Sequence, residues 1–298
     1  VTLFFQQLLN GLSLGAIYAL IALGYTLVYG TLQLINFAHG EVYMMGAFAA
    51  LYIARYTGVA DNPTLPGAAM VAIGAMVSCA ILGMTIERLA YRPLRRSTRL
   101  NMLITAIGMS LLLQNIALLC FGALQDFPSL LPEAKWIVGG VIVRSNDLVT
   151  LGVTLVLMVG LTWIVERTQI GRAMRAVSHS RDAAALMGIP VDRVVSYTFA
   201  FGSILAGAAA FLVAMDKHSI RPDMGLTGGL KAFVAAVLGG IGSIPGAVAG
   251  GILLGLAETF VSGYLASTYR DAIAFLLLIG ILLYKPSGLF GKNTVEKV

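Results

Sequence analysis

The first forty residues contain no Asp, Glu, Lys or Arg; the first such charge is Glu41. Further apolar runs follow along the rest of the chain. Hydrophobic residues make up 58% of it and charged residues only 11%, against roughly 25% in a soluble domain. A water-soluble protein of this size cannot hide so much apolar surface, so lipid must be the solvent. Mostly apolar stretches of about 20 residues are predicted to span the membrane at 6–29, 31–54, 67–87, 101–121, 148–166, 194–215, 230–262 and 271–285. The fold class is therefore all-α, a polytopic transmembrane helical protein of about eight spans. The first stretch lacks a basic n-region and a small-residue cleavage site, so it is predicted to be a retained span.

Two stretches are irregular. The run 31–54 is interrupted at Asn36, Phe37, Ala38, His39, Gly40 and Glu41, and 230–262 is too long for one crossing. The segment from Gly239 and Gly240 through Gly242, Ser243 and Pro245 to Gly246 divides the second run, giving either two spans or a re-entrant hairpin before a helix. Such backbone is tolerated at membrane depth only inside protein or beside water. Counting from Thr31 at about 1.5 Å per residue places Glu41 about 15 Å deep. A carboxylate there is a functional-site candidate by default. Two compatible readings stay open for Asn36, His39, Gly40 and Glu41. They line a polar path at a helix break, or they satisfy the freed backbone and hold helices together. Gly239, Gly240, Gly242 and Ser243 offer exposed backbone to a zwitterion or close packing to a helix. Glu258, Gln114 and Asn115 lie inside spans, facing a water-filled path or bonding across helices. Gly11, Gly15, Gly24, Gly30, Gly202 and Gly207 are expected to be packing residues, and Cys79 and Cys120 small buried hydrophobes. The two breaks occupy opposite ends of the chain, as an inverted repeat would place them, but share too little identity to assert one.

Basic residues set the orientation. Arg88, Arg92, Arg95, Arg96 and Arg99 follow the third span, and Arg167, Arg172, Arg175, Arg181 and Arg193 follow the fifth. The tail adds Lys285, Lys292 and Lys297. The positive-inside rule puts all three segments in the cytoplasm. Residues 122–147, with Asp126, Glu133 and Asp147 against Lys135 and Arg144, then face outward. Glu87 and Arg88 sit at a cytoplasmic helix end, where snorkelling and local pairing explain them. The net charge of +6 thus belongs to membrane orientation, and no nucleic-acid-binding motif accompanies it. Loops are too short to hold a catalytic domain. His39, His179 and His218 lie in three separate regions, without the nucleophile–base or metal-ligand spacing of an intramembrane enzyme. There is no G-x-x-x-x-G-K-[ST] loop, so ATP hydrolysis is not expected of this chain.

The loop 167–193 contains a short helix candidate. Ser180 can cap its start, Asp182 favours the positive end of its dipole, and Gly188 with Pro190 stops it. Ala183, Ala184 and Ala185 give a small, smooth surface suited to another protein's groove. The alternative is an ordinary interfacial helix near anionic lipid. Asp182-Ala183-Ala184 with Gly188 resembles the EAA-x-x-x-G coupling motif of ABC importer permeases, with Asp in place of Glu. Longer matches run through the chain. They are Gly15-Ala16-Ile17-Tyr18-Ala19-Leu20, Tyr29-Gly30, Ile35 to Glu41, Glu87-Arg88-Leu89-Ala90-Tyr91-Arg92-Pro93, Ala106 to Ser110, and Lys231 to Gly246. In these the chain closely resembles LivH-type permeases of branched-chain amino acid transporters.

The resemblance implies a single permease domain over 1–298, with the coupling loop in 167–193 and Arg181, Asp182, Ala183, Ala184 and Gly188 as its ATPase-facing residues. It further implies import of apolar amino acids by ATP-driven alternating access at a bacterial inner membrane. The partners it implies are a second homologous permease subunit, two cytoplasmic ATP-binding subunits and a periplasmic substrate-binding protein. No cofactor or metal is expected on this chain. The alternative is a stand-alone secondary transporter or channel, which broken helices and midplane polar groups also fit.

Overall fold

The computed structural model describes residues 2–33, 35–95, 97–132 and 134–291; Arg96, Glu133, Lys292, Lys297 and the side chain of Arg99 lie outside the described residues. The first half comprises α1 (Thr2–Leu32), α2 (His39–Tyr56), α3 (Leu65–Ile86) with a π turn at Glu87–Tyr91, and α4 (Arg99–Phe121). Short strands β1 (Gln125–Asp126), β2 (Lys135–Val138) and β3 (Val141–Arg144) lead into α5 (Ser145–Arg167), α6 (Gln169–His179) and α7 (Arg181–Leu186). The second half comprises α8 (Val191–Lys217), β4 (Ser219–Ile220), α9 (Met224–Gly239), α10 (Ile244–Tyr264) and α11 (Arg270–Tyr284). Among the described residues seven helices are long and apolar enough to cross a membrane: α1, α3, α4, α5, α8, α10 and α11 with the turn before it. The protein is a multi-pass membrane protein.

The discontinuous segments differ from the sequence reading in register. The expected span 31–54 is not a helix broken near its middle. Helix α1 ends at Leu32, Gln33 takes a left-handed conformation (φ 53°), and α2 starts at His39. His39, Gly40 and Glu41 are thus the first turn of a helix, and a depth count from Thr31 does not apply. They still lie deep, because His39 is buried with its ring against Gly24 within α1. The long run 230–262 resolves into α9 and α10, which pack on each other on either side of residues 240–243. Gly240 (φ 105°) and Gly242 (φ 94°) supply the turn.

The first-half and second-half helices repeat. Helix α8 also ends in a left-handed residue, His218 (φ 51°), and the chain turns back through 219–223 to begin α9. Thr64-Leu65-Pro66-Gly67-Ala68 opens α3, and Ser243-Ile244-Pro245-Gly246-Ala247 opens α10. In each the hydroxyl accepts the glycine N–H at 3.2 Å, and proline sits in the first turn. Packing follows the same exchange. Helix α1 lies on α10 as α8 lies on α3, and α2 lies on α8 as α9 lies on α1. The break that matches His39–Glu41 is therefore the one before Met224. The Gly239–Ser243 break corresponds instead to the connection between α2 and α3.

Two ends follow from these contacts. The basic end gathers Arg92, Arg95, α6, α7 and residues 285–291, with Leu289 N–H donating to Leu238 at 2.9 Å. The opposite end gathers the strands. There β1 pairs with β4, Arg55 donates to Gln125 at 3.3 Å, and the Ile142 N–H donates to Gln6 at 2.8 Å. Helices α1 and α8 are buried along most of their length; α4, α5 and α11 have few buried residues. Cys79 is buried as expected, but Cys120 is exposed on α4. Asn115 does not bond across helices; its amide donates to Leu111 O at 2.7 Å, one turn back on its own exposed face.

Of the glycines expected to pack, Gly11, Gly15, Gly24, Gly202 and Gly207 each abut another helix, whereas Gly30 approaches only Gly242. Helix α1 approaches α10 closely where a β-carbon on Gly255 would collide with the Gly15 backbone. Gly255→Leu must force these helices apart, and overpacking of this kind costs about 1–3 kcal/mol or more. Gly280 on α11 faces open space. Gly255→Leu is expected to lower the detergent melting temperature and monodisperse yield, with Gly280→Leu close to wild type in the same size-exclusion assay.

Candidate translocation core

The N-termini of α2 and α9 meet at the centre of the packed helices. A β-carbon on Gly40 would collide with the Gly225 carbonyl, and one on Gly225 with the Glu41 carboxylate. Only glycine permits this approach. Glu41 is buried; one carboxylate oxygen accepts from Ser110 at 3.1 Å and the other has no partner. Its charge sits against the positive ends of two helix dipoles. His39 is buried under the Tyr25 ring (centroids 4.8 Å, 69°) with Nε2 unpartnered. Asn36 lies just before the helix, where Tyr91 on the π turn donates to its Oδ1 at 2.6 Å. The residues adjacent in sequence thus reach separate neighbours: Asn36 goes to α3's end, His39 to α1 and Glu41 to α4. A cavity of about 110 Å³, lined by Tyr25, Phe37, Ser110 and Gly225, lies beside them.

Gly239, Gly240, Gly242 and Ser243 sit at the basic end, away from this junction. Gly239 packs on the Gly246 backbone, Gly240 packs against Gly288 and Gly291, and Ser243 caps α10. The Gly240 N–H is taken by Ala236 and Val237. Gly242 lines a small cavity with Thr26, Gly30 and Thr31.

Glu258 is fully buried in α10 and belongs to an interhelical charge cluster. Its Oε2 accepts from Tyr18 on α1 (3.0 Å), Lys231 on α9 (3.1 Å) and Arg270 on α11 (2.8 Å). Lys231 also pairs with Asp271 at 2.6 Å. When the two halves are aligned on their helix starts, Lys231 and Glu258 take the places of Gly46 and Cys79, which touch in the first half. Lys231, Arg270, Asp271 and Tyr18 escaped the sequence reading as a site. Their signal was Lys231 itself, a lone cation inside an apolar run. A second cluster lies at the basic end. Glu87 is buried, paired with Arg95 and accepting from Ser196 at 2.7 Å, and Asp192 joins Arg95 to Arg92. Local pairing therefore holds for Glu87, while Arg88 is the exposed member.

The expected short helix in 167–193 is α7. Ser180 caps it, with the Ala183 N–H donating to Oγ at 3.2 Å, and Gly188 (φ 79°) ends it. The surface differs from the smooth alanine face inferred. Ala184 is buried against Met174, Val177 and Val194, whereas Leu186 and Met187 are 88% and 82% exposed and form the outward tip. Asp182 and Ala183 are exposed. The Arg181 guanidinium donates to the Leu32 carbonyl, the last residue of α1. Partial burial, with Arg95 nearby, holds its pKa below the ordinary arginine range.

A family described as branched-chain amino acid transport system / permease component matches residues 7–282. The chain is 44% identical to the high-affinity branched-chain amino acid transport system permease protein BraD of Pseudomonas aeruginosa, over 99% of this chain and 98% of that protein. It is 45% identical, with the same coverage, to the permease proteins LivH of Salmonella typhimurium and Escherichia coli K12. The chain belongs to this permease family. As a family member it is a transport permease subunit and not an enzyme, and both breaks fall within the matched residues.

Within the permease, removing one member of a buried ion pair costs about 3–5 kcal/mol because the other charge is stranded. Lys231→Met is expected to lose most folded protein, and Lys231→Met with Glu258→Gln to recover part of it. A double-mutant comparison of melting temperatures in detergent checks this; equal and additive losses would deny the coupling.

Proposed function

We propose that this chain carries branched-chain amino acids across the bacterial inner membrane as one permease subunit of an ATP-driven importer. Near-identical length and 44–45% identity to permeases so described support the reading most. The basic end, with its arginines, is cytoplasmic under the positive-inside rule. The chain forms one permease domain over 1–298, binds no cofactor or metal, and leaves ATP to two cytoplasmic subunits. A second, homologous permease subunit completes the pathway, and a periplasmic binding protein delivers substrate.

The mechanism runs along a chain of contacts. An ATPase subunit grips the exposed tip of α7, at Leu186 and Met187, with Asp182, Ala183 and Gly188 setting the shape of the turn and Ala184 anchoring it. Arg181 passes the motion to the end of α1 through the Leu32 carbonyl. From there the chain leads through Asn36 into His39, Gly40 and Glu41, where α2 abuts α9. Shifting one half-helix start against the other opens the path to one side at a time. Gly239, Gly240, Gly242 and Ser243 let the second half flex at its own turn, and Glu258 holds α9 to α10.

Proteoliposomes test both parts. Uptake of labelled leucine, isoleucine and valine is expected only with the second permease subunit, the ATPase subunits, ATP and delivery protein all present. Uphill uptake without any ATPase would overturn the proposal in favour of a stand-alone carrier. Arg181→Ala and Gly188→Asp are expected to assemble normally yet lose about tenfold or more of delivery-protein-stimulated ATPase activity and uptake, the scale of an allosteric coupling energy. Wild-type stimulation in both variants would exclude the lever.

A further inference from the structure

Each half of the repeat builds a cavity where its long helix ends and the chain turns back toward a half-helix. At the basic end the cavity is about 560 Å³, lined by Leu32, Gln33 and Ile35 and closed by Met102 and Leu103 near the start of α4. At the opposite end it is about 420 Å³, lined by Lys217, Ser219, Arg221, Asp223 and Met224 and closed by Arg270 and Asp271 at the start of α11. Both are in the size range of small-molecule sites. Their chemistry differs. The outer cavity has a floor of buried apolar residues, Ile17, Ile21, Tyr43 and Val213. Its rim carries both signs: Lys217, Arg221, Lys231 and Arg270 against Asp216, Asp223 and Asp271. Most of these charges already have a partner. Lys231 and Arg270 bond Glu258, Lys231 also pairs with one oxygen of Asp271 at 2.6 Å, Asp223 pairs through one oxygen with Arg221 at 3.0 Å, and Asp216 pairs with Arg144 at 3.2 Å. Lys217 has no carboxylate within 4.0 Å among the described residues. The basic-end cavity has no carboxylate on its described lining, and its Arg181 is engaged by Leu32.

We infer that the outer cavity is an acceptor site for a free amino acid with an apolar side chain, and that its repeat-related counterpart is not. The ligand's carboxylate meets Lys217, its ammonium meets the exposed oxygens of Asp223 and Asp271, and its side chain lies on the Ile17–Ile21 floor. A ligand reaching the other cavity finds no anion for its ammonium and leaves. This asymmetry between otherwise equivalent places favours inward release. The choice of ligand rests on the importer reading.

The experiment uses the complete importer in lipid nanodiscs without delivery protein, probed with radiolabelled leucine. Saturable binding is expected. Isoleucine and valine should displace it; leucine amide, lacking the carboxylate, and 4-methylpentanoate, lacking the ammonium, should not. Lys217→Gln is expected to weaken binding about tenfold or more, as loss of a charge partner does, and Lys217→Arg to restore it. Thr227→Trp, which fills the cavity from an exposed position, should abolish it. Absence of saturable binding in the monodisperse wild-type complex would overturn the site. So would unchanged binding in both Lys217→Gln and Thr227→Trp. Loss of the site with intact ATP- and delivery-dependent uptake leaves the importer reading standing; uptake independent of ATP removes that reading instead.

Discussion

In lipid a chain that stops a helix must find protein partners for every backbone group it frees. This permease stops twice, at Gln33 and at His218, and starts again with two helix N-termini placed head to head at Gly40 and Gly225. Two positive dipole ends would repel at that distance in a low-dielectric interior. Glu41 lies between them, and the absence of a side chain at either glycine lets the backbones touch. The remaining helices pack outward from this junction, with α1 and α8 inside and α4, α5 and α11 on the periphery.

Two of the buried acids elsewhere, Glu87 and Glu258, act at the ends of the bundle. Each ties together helices far apart in sequence through arginine or lysine. Neither is worth much as a net source of stability, since desolvation offsets attraction. Their effect is register: they fix which helix ends meet. Arg181 serves the same purpose for the loop, joining α7 to the last carbonyl of α1. The α7 segment and the central junction are thereby separated by one hydrogen bond and the short stretch 33–38.

Much of this was legible. The apolar runs located the crossings, Ser180 and Gly188 bounded α7, and the glycines after Leu238 marked a turn. The repeat was legible too, in Thr64-Leu65-Pro66-Gly67-Ala68 and Ser243-Ile244-Pro245-Gly246-Ala247, but the breaks were aligned on the wrong partners. His39-Gly40-Glu41 read as an interruption because helix periodicity does not reveal where a helix begins inside an apolar run. Asn115 read as an interhelical group because a polar residue bonding back to its own helix leaves no trace in spacing. Ala184 read as surface because three successive alanines carry no facing signal.

The sequence by itself determined that lipid surrounds this chain, that two segments interrupt it, and which end is basic, because hydropathy, helix-breaking residues and charge are properties of residues taken singly or in short runs. Tertiary structure alone decided that Gly40 faces Gly225, that Lys231, Arg270 and Tyr18 converge on Glu258, and that the rim of one cavity carries both signs while its counterpart lacks an anion. Those arrangements join residues from helices distant in the chain. Their proximity depends on how the helices cross, which no local pattern encodes.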